Sequence, residues 1–286
     1  MQMEIFGFVP PVNPATLPPK DLASYAPLIT DCFNKGTLPD VAVLEAVLSG
    51  LDDGTVRVAS PAADGTFQVC EWAKQAILLY FKATKAQLFD DSTAPFFDKI
   101  PQKTQGWGAA DFEKAGFRMA AGALVRRGAF IAPKVVLMPC FVNVGAFVDE
   151  GTMVDTGARV GSCAQIGKNC HLAGGVGIGG VLEPANALPV IIEDDCFIGA
   201  QSQVAEGVHV GQGAVLGMGT LLGASTKIID RETGKSWTGH VPPYSVVVPG
   251  SYQAANNLSV QCAIVIKKAS AETRKKVGLN ALLRTP

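Results

Sequence analysis

Stepping six residues at a time from Val136, the chain presents Val142, Val148, Val154, Val160, Ile166, Leu172 and Ile178. After one interruption the step resumes as Ile192, Ile198, Val204, Val210, Leu216, Leu222 and Ile228. A helical period of about 3.6 residues drifts off such a step. A fixed six-residue period marks a stacked repeat, and at this length a β-helix.

A second lane supports the reading. Four residues after each aliphatic stand Cys140, Ala146, Thr152, Ala158, Ala164 and Cys170, then Cys196, Ser202, Ala214, Thr220 and Thr226, with Val176 and Val208 as larger members. One inward corner is thus large and the next mostly small. That suits a narrow triangular prism with three short strands and about eighteen residues per coil. Burying each large aliphatic stabilises by roughly 1.5–3 kcal/mol. Glycines just after the aliphatic step (Gly161, Gly167, Gly179, Gly199, Gly211, Gly217, Gly223) are expected at tight corners.

Composition narrows the partners. Hydrophobic residues make up 48% and charged residues 17% of 286, so the chain can bury a large core. A net charge of −1 points away from nucleic acid and from an anionic membrane surface. The first residues, MQMEIFGFVPPVNP, lack a basic region followed by a long apolar run, so neither a secretory signal nor a membrane span is expected. Seven cysteines without a CxxC pair are expected as free thiols in a cytoplasmic protein, with no metal site.

Along the chain, residues 1–20 form a Pro-rich arm and 21–117 a mixed α/β, mostly helical domain. The β-helix spans 118–240, and 241–286 supply C-terminal strands and a helix. Within the second unit, helix is expected from Asp21 to about Leu51, ending near Gly50. A hairpin over Thr55–Ala59 and Thr66–Glu71 and a helix over Trp72–Lys82 follow, and then an irregular stretch over 90–117. Coils run from about Leu124 to Ile228. The segment 180–191 must leave the prism as a loop, and Asp230–His240 makes a second excursion. Strands are expected at Ser245–Val248 and Ala263–Ile266, and a basic helix from Ala271 to Leu283.

Several chemistries are unsupported. His171, His209 and His240 lie 38 and 31 residues apart, unlike a histidine metal triad. No G-x-S-x-G elbow is present. Gly174–Gly180 looks like a phosphate loop, but Gly177 and Gly179 flank the in-phase Ile178 and belong to the repeat. Acyl transfer from a long thioester suits the straight groove between two prisms, by analogy of fold.

The stretch FRMAAGALVRRGAFIAPKVVLMPCFVNVGAFVDEGTMVDTGARVGSCAQIGKNCHLAGGVGIGGVLEP (Phe117–Pro184) resembles the tetrahydrodipicolinate N-succinyltransferases of lysine (diaminopimelate) biosynthesis. So do IIEDDCFIGA (Ile191–Ala200), STKIIDRETG (Ser225–Gly234), VPPYSVVV (Val241–Val248) and VGLNALLR (Val277–Arg284). The resemblance runs from about Gly54 to the C-terminus; the first fifty residues share only helical character. It implies a left-handed β-helix and a homotrimer with active sites between neighbouring prisms. It also implies direct acyl transfer from a CoA thioester, without a tightly bound cofactor, to the amine of ring-opened tetrahydrodipicolinate (2-amino-6-oxopimelate). The family's substrate-binding arginine matches Arg118 in Phe117-Arg118-Met119, and its substrate-contacting aspartate matches Asp155 in Val154-Asp155-Thr156. The chemistry agrees: a dicarboxylate acceptor suits a guanidinium fork, and its ammonium needs a carboxylate that can take a proton before attack.

Three departures cluster at that site. After VDT the family has Trp where this chain has Gly157. Where the family reads ARSEVVEG, this chain reads Ala200-Gln201-Ser202-Gln203-Val204-Ala205-Glu206-Gly207. Gln203 therefore replaces a glutamate and can orient an amine but cannot take its proton, leaving Asp155 as base. Gln201 replaces an arginine that could hold a carboxylate, and Gly157 enlarges the pocket. Backbone at Gly217, Gly223 and Ser225 is expected to line the CoA arm. The donor is succinyl-CoA or acetyl-CoA. Two alternatives stand beside the lysine-pathway reading: an acetyl-CoA-specific paralogue of the tabtoxin-biosynthesis type, and a non-catalytic trimeric scaffold. An acyltransferase on a nucleotide-linked amino sugar fits less well, since a neutral sugar needs no dicarboxylate clamp.

Overall fold

The computed structural model describes residues 21–89 and 95–270; the Pro-rich arm and the expected helix over Ala271–Leu283 lie outside the described residues. Two-residue strands stack into three parallel sheets, the walls of a left-handed β-helix. The first wall runs Arg118–Met119, Val136–Leu137, Met153–Val154, His171–Leu172, Phe197–Ile198 and Val215–Leu216, and the second begins with Leu124–Val125 and ends with Leu221–Leu222. The third runs from Phe130–Ile131 to His240–Val241. Inside, the aliphatic lane is buried throughout, with Val142, Val148, Val154, Val160, Ile166 and Leu172 all 0% exposed.

The lane begins earlier than the sequence step suggests, and one residue out of phase. Met119, Val125, Ile131 and Leu137 precede Val142, and Leu137, not Val136, pairs with Val154. The side between Leu137 and Val142 is five residues long, so Val136 faces outward from the lane while still being buried. Ile228 departs too: its strand Ile228–Asp230 pairs with Ala263–Val265, and the coil resumes on the third wall at His240–Val241.

The glycines after the aliphatic step are not turn glycines. A Cβ on Gly161 would stand 2.2 Å from the amide nitrogen of Gly180, so glycine is needed for coil-to-coil approach. The left-handed turn position lies three residues after the aliphatic, at Gly157 (φ 72), Gly175 (φ 70) and Gln201 (φ 59) among others. Segment 180–190 leaves the prism as expected, between Gly177–Ile178 and Ile191–Ile192.

The N-terminal unit packs on the prism. Helix is divided: α1 (Ala26–Lys35) ends at left-handed Gly36, and α2 (Val41–Asp53) starts from Asp40, whose carboxylate caps the Ala42 amide. Gly50 does not end α2. It lies within it, because a Cβ there would meet Leu22 and Val56 side chains at 2.4 and 2.9 Å. The hairpin is Ala59–Pro61 with Phe67–Val69, and α3 spans Glu71–Ala83. The stretch expected to be irregular holds a second hairpin (Gln87–Phe89 with Phe96–Asp98) and α4 (Ala109–Ala115). At the other end, Ser245–Gln253 and Ser259–Lys268 form one hairpin, longer than the two short strands expected.

Candidate active site

Asp155 follows the strand Met153–Val154 on the first wall, where its Oδ1 accepts from the Thr156 amide at 2.7 Å. Its Oδ2 lies 3.6 Å from Nε2 of His171, which the parallel register places one coil further along. His171 in turn meets Phe197 edge-on, with ring centroids 5.1 Å apart. Sequence reasoning passed over His171 as anything but a metal ligand. The signal was its spacing, eighteen residues after Met153, which is one full coil. Arg118, half-buried, stands on the same wall two strands before Asp155's strand, about 10 Å away at the usual strand spacing.

Gln203 stands around the corner, on the second wall and two coils further along than Asp155. Its Oε1 accepts from Nη2 of Arg159 at 2.7 Å, so the structure joins it to a residue that sequence reasoning had not singled out. Gly177 lies between the two in the ladder. A Cβ there would sit 2.0 Å from Gln203 Oε1 and 2.8 Å from Arg159 Nη2, so this glycine opens the space the pair fills. Arg159 was missed because an exposed arginine on a strand carries no spacing of its own.

Gly157 and Gln201 occupy equivalent turns at the corner between these walls, with Gly175 between them. Gly157 is exposed, and a Cβ on it would find only Gly175 backbone at 3.8 Å. The side chain of Gln201 lies over Gly175, with Nε2 2.3 Å from where a Cβ of that glycine would be. Arg118, Asp155, Gly157, Gln201 and Gln203 therefore gather around one corner of the prism and not at one point. Gly217 and Gly223 lie at the far end of the same walls, where their amides already donate to Val247 O (2.7 Å) and Thr226 Oγ1 (2.9 Å); Ser225 is exposed beside them.

A cleft of about 310 Å³ on the third wall is a separate feature lined by Arg57, Phe67, Gln165 and Asp194. Among the described residues no cluster of three or more His, Cys, Asp or Glu could hold a metal ion. All seven cysteines are free thiols. No described helix is long and apolar enough to cross a membrane.

Residues 33–83 match the family model for the tetrahydrodipicolinate N-succinyltransferase N-terminal domain, and residues 189–224 the hexapeptide repeat of succinyl-transferase. A 2,3,4,5-tetrahydropyridine-2,6-dicarboxylate N-succinyltransferase of Gluconobacter oxydans is 59% identical over 249 residues, covering 86% of this chain and 90% of that protein. The chain belongs to this family. Succinyltransferases of Wolbachia sp. subsp. Brugia malayi (54% identity; 85% of this chain, 88% of the relative) and Wolbachia pipientis wMel (53%; 93% and 96%) agree. The succinyltransferase match reaches back to residue 33, upstream of where the sequence resemblance was drawn, and takes in α2 and α3.

Proposed function

We propose that this chain is an N-acyltransferase that moves a succinyl group from succinyl-CoA to the amine of ring-opened tetrahydrodipicolinate in the route to lysine. The observation that carries this reading is membership of the succinyltransferase family together with Arg118 and Asp155 on one prism wall. Asp155 takes a proton from the substrate ammonium. The freed amine attacks the thioester carbonyl carbon, a C–N bond forms, and the C–S bond breaks as CoA thiolate leaves. The second amine proton passes to solvent or to that thiolate. Arg118 receives an acceptor carboxylate through its guanidinium fork. His171, 3.6 Å from Asp155, orients the carboxylate.

Free thiols throughout fit a reducing cytoplasm. A site spread around an exposed corner, without its full residue set on one wall, fits completion by a neighbouring prism in a homotrimer. Gly217, Gly223 and Ser225 would border the CoA arm with surface and the Ser225 side chain, since the amides and carbonyls of both glycines are already engaged within the chain. The test follows CoA thiol release from the purified protein with tetrahydrodipicolinate, offering succinyl-CoA and acetyl-CoA in parallel. Turnover with succinyl-CoA supports the reading. Turnover only with acetyl-CoA assigns a specialised paralogue of the tabtoxin type. No release with either points to a different acceptor or to the non-catalytic scaffold.

A further inference from the structure

Arg159 is the one cation built into the exposed second wall beside Asp155 among the described residues of that corner. Only three turn residues, Thr156 to Ala158, separate it from Asp155. Its side chain is exposed, and among the described residues its hydrogen-bond partner is the neutral Gln203. It forms no ion pair with any described carboxylate, whereas Arg126 and Arg127 pair with Asp98 and Glu45 at 2.7 and 2.6 Å. The pairing with Gln203 exists because Gly177 leaves the intervening strand bare. The result is a guanidinium held in place by an acceptor that does not neutralise it. Four of its five N–H donors remain for a ligand. Had residue 203 carried a carboxylate, the same contact would be a salt bridge and much of that charge would be spent within the protein.

We infer that Arg159 is a substrate-binding, specificity-determining residue that grips a substrate carboxylate through its fork, with Gln203 setting its orientation. This rests on the acyl-transfer reading, in which two carboxylate sources are present: the distal carboxylate of a succinyl donor and a carboxylate of the acceptor. A planar fork on either gives two charge-assisted hydrogen bonds, which an acetyl donor cannot supply.

The test measures kcat and KM separately for donor and acceptor in the wild type, Arg159→Met and Gln203→Glu, with succinyl-CoA and with acetyl-CoA. Arg159→Met should raise one KM about tenfold or more, with a smaller effect on kcat. If the donor carboxylate is the ligand, the KM for succinyl-CoA rises, that for acetyl-CoA stays, and discrimination between them collapses. If it is the acceptor's, the KM for tetrahydrodipicolinate rises equally with both donors. Gln203→Glu keeps the arginine and strengthens its internal pairing, so it should raise the same KM severalfold; a purely structural arginine would be unaffected or better held. Unchanged KM values in both variants would overturn the inference while leaving the acyl-transfer reading intact. Should the wild type turn nothing over, the acyl-transfer reading fails. Calorimetric titration with succinyl-CoA, acetyl-CoA and pimelate then decides the carboxylate question, and equal binding by wild type and Arg159→Met would sink it.

Discussion

The third wall of the prism and the corner between the other two present opposite surfaces built on the same repeat. Outward residues of the third wall from Phe130 to His209 are roofed or half-buried, and only His240 at its end is exposed. Arg57 stacks 3.9 Å above the Phe147 ring and donates to Gln165 Oε1 at 2.6 Å, Phe67 meets His209 edge-on, and Gln165 is 0% exposed. At the opposite corner Gly157, Arg159 and Gln201 are exposed, and Asp155 keeps a third of its side-chain surface. The repeat dictates what points inward at every step and is silent about what points outward. One wall has used that freedom to bind the N-terminal unit, and the corner has used it for polar groups with unspent hydrogen-bonding capacity. Structural polar residues are those whose partners are inside the chain; functional ones are left with donors or charge to offer.

The sharpest way to break this contrast is Asp155→Asn. It should lower kcat by about 10²–10⁴-fold, the usual worth of a positioned acid or base, with thermal stability nearly unchanged. A large loss of stability would make Asp155 a structural residue and remove the distinction.

Lys74 tests the roofed side. It is 0% exposed, and its Nζ donates to the carbonyls of Pro184 (3.1 Å) and Ala187 (2.7 Å), pinning the 180–190 loop against α3. Lys74→Met should strand those acceptors at a cost of about 1–3 kcal/mol for each group left unsatisfied. A lowered thermal midpoint and faster proteolysis within 180–190 are expected, with kcat largely kept while the protein is folded. Complete loss of activity in the folded variant would show that the roofed side shapes the site directly.

A smaller, pH-dependent effect lies beneath the corner. Burial, and then the Asp155 carboxylate, pushes the Cys140 thiol from 9.0 up to about 12. Burial does the same for Cys163. The folded chain keeps protons that the unfolded chain gives up above about pH 9, so this stability is fully present below that pH and lost as pH rises toward 12. Urea midpoints should fall across that range, and Cys140→Ala should make the fall shallower. An unchanged slope would mean that this thiol is not shielded as its burial requires. Smallest of all is Lys134→Ala. Its pair with Glu150, 66% and 41% exposed, belongs to neither surface, and the change in stability should stay within about 1 kcal/mol.

Much of the fold was legible because packing in a β-helix is between residues one coil apart, and the inward lane must repeat. The 180–191 excursion was visible as a break in that lane. The five-residue side between Leu137 and Val142 was not, because Val136 and Leu137 are both aliphatic and the sequence step accepts either. The split of α1 from α2 had a signal in the C-cap glycine Gly36 and in Pro39-Asp40 before Val41, which the reading of one continuous helix overran, and Gly50 misled because its glycine serves packing within a helix. At the site, Arg118, Asp155 and the three altered positions could be read from motif resemblance. His171 and Arg159 could not, since each is defined by a partner in another coil.

By itself the sequence determined the prism and its inward lanes, because these rest on short, regular spacings that any stretch of the repeat contains, and it carried the family in motifs such as Val154-Asp155-Thr156. Tertiary structure alone decided that Arg159 meets Gln203 across a bare Gly177, that His171 sits beside Asp155, and that Lys74 reaches the loop 110 and 113 residues away. Those contacts depend on how coils, insertions and the N-terminal roof stack in space. Outward side chains are free of the period that governs the core, so their partners are set by that stacking.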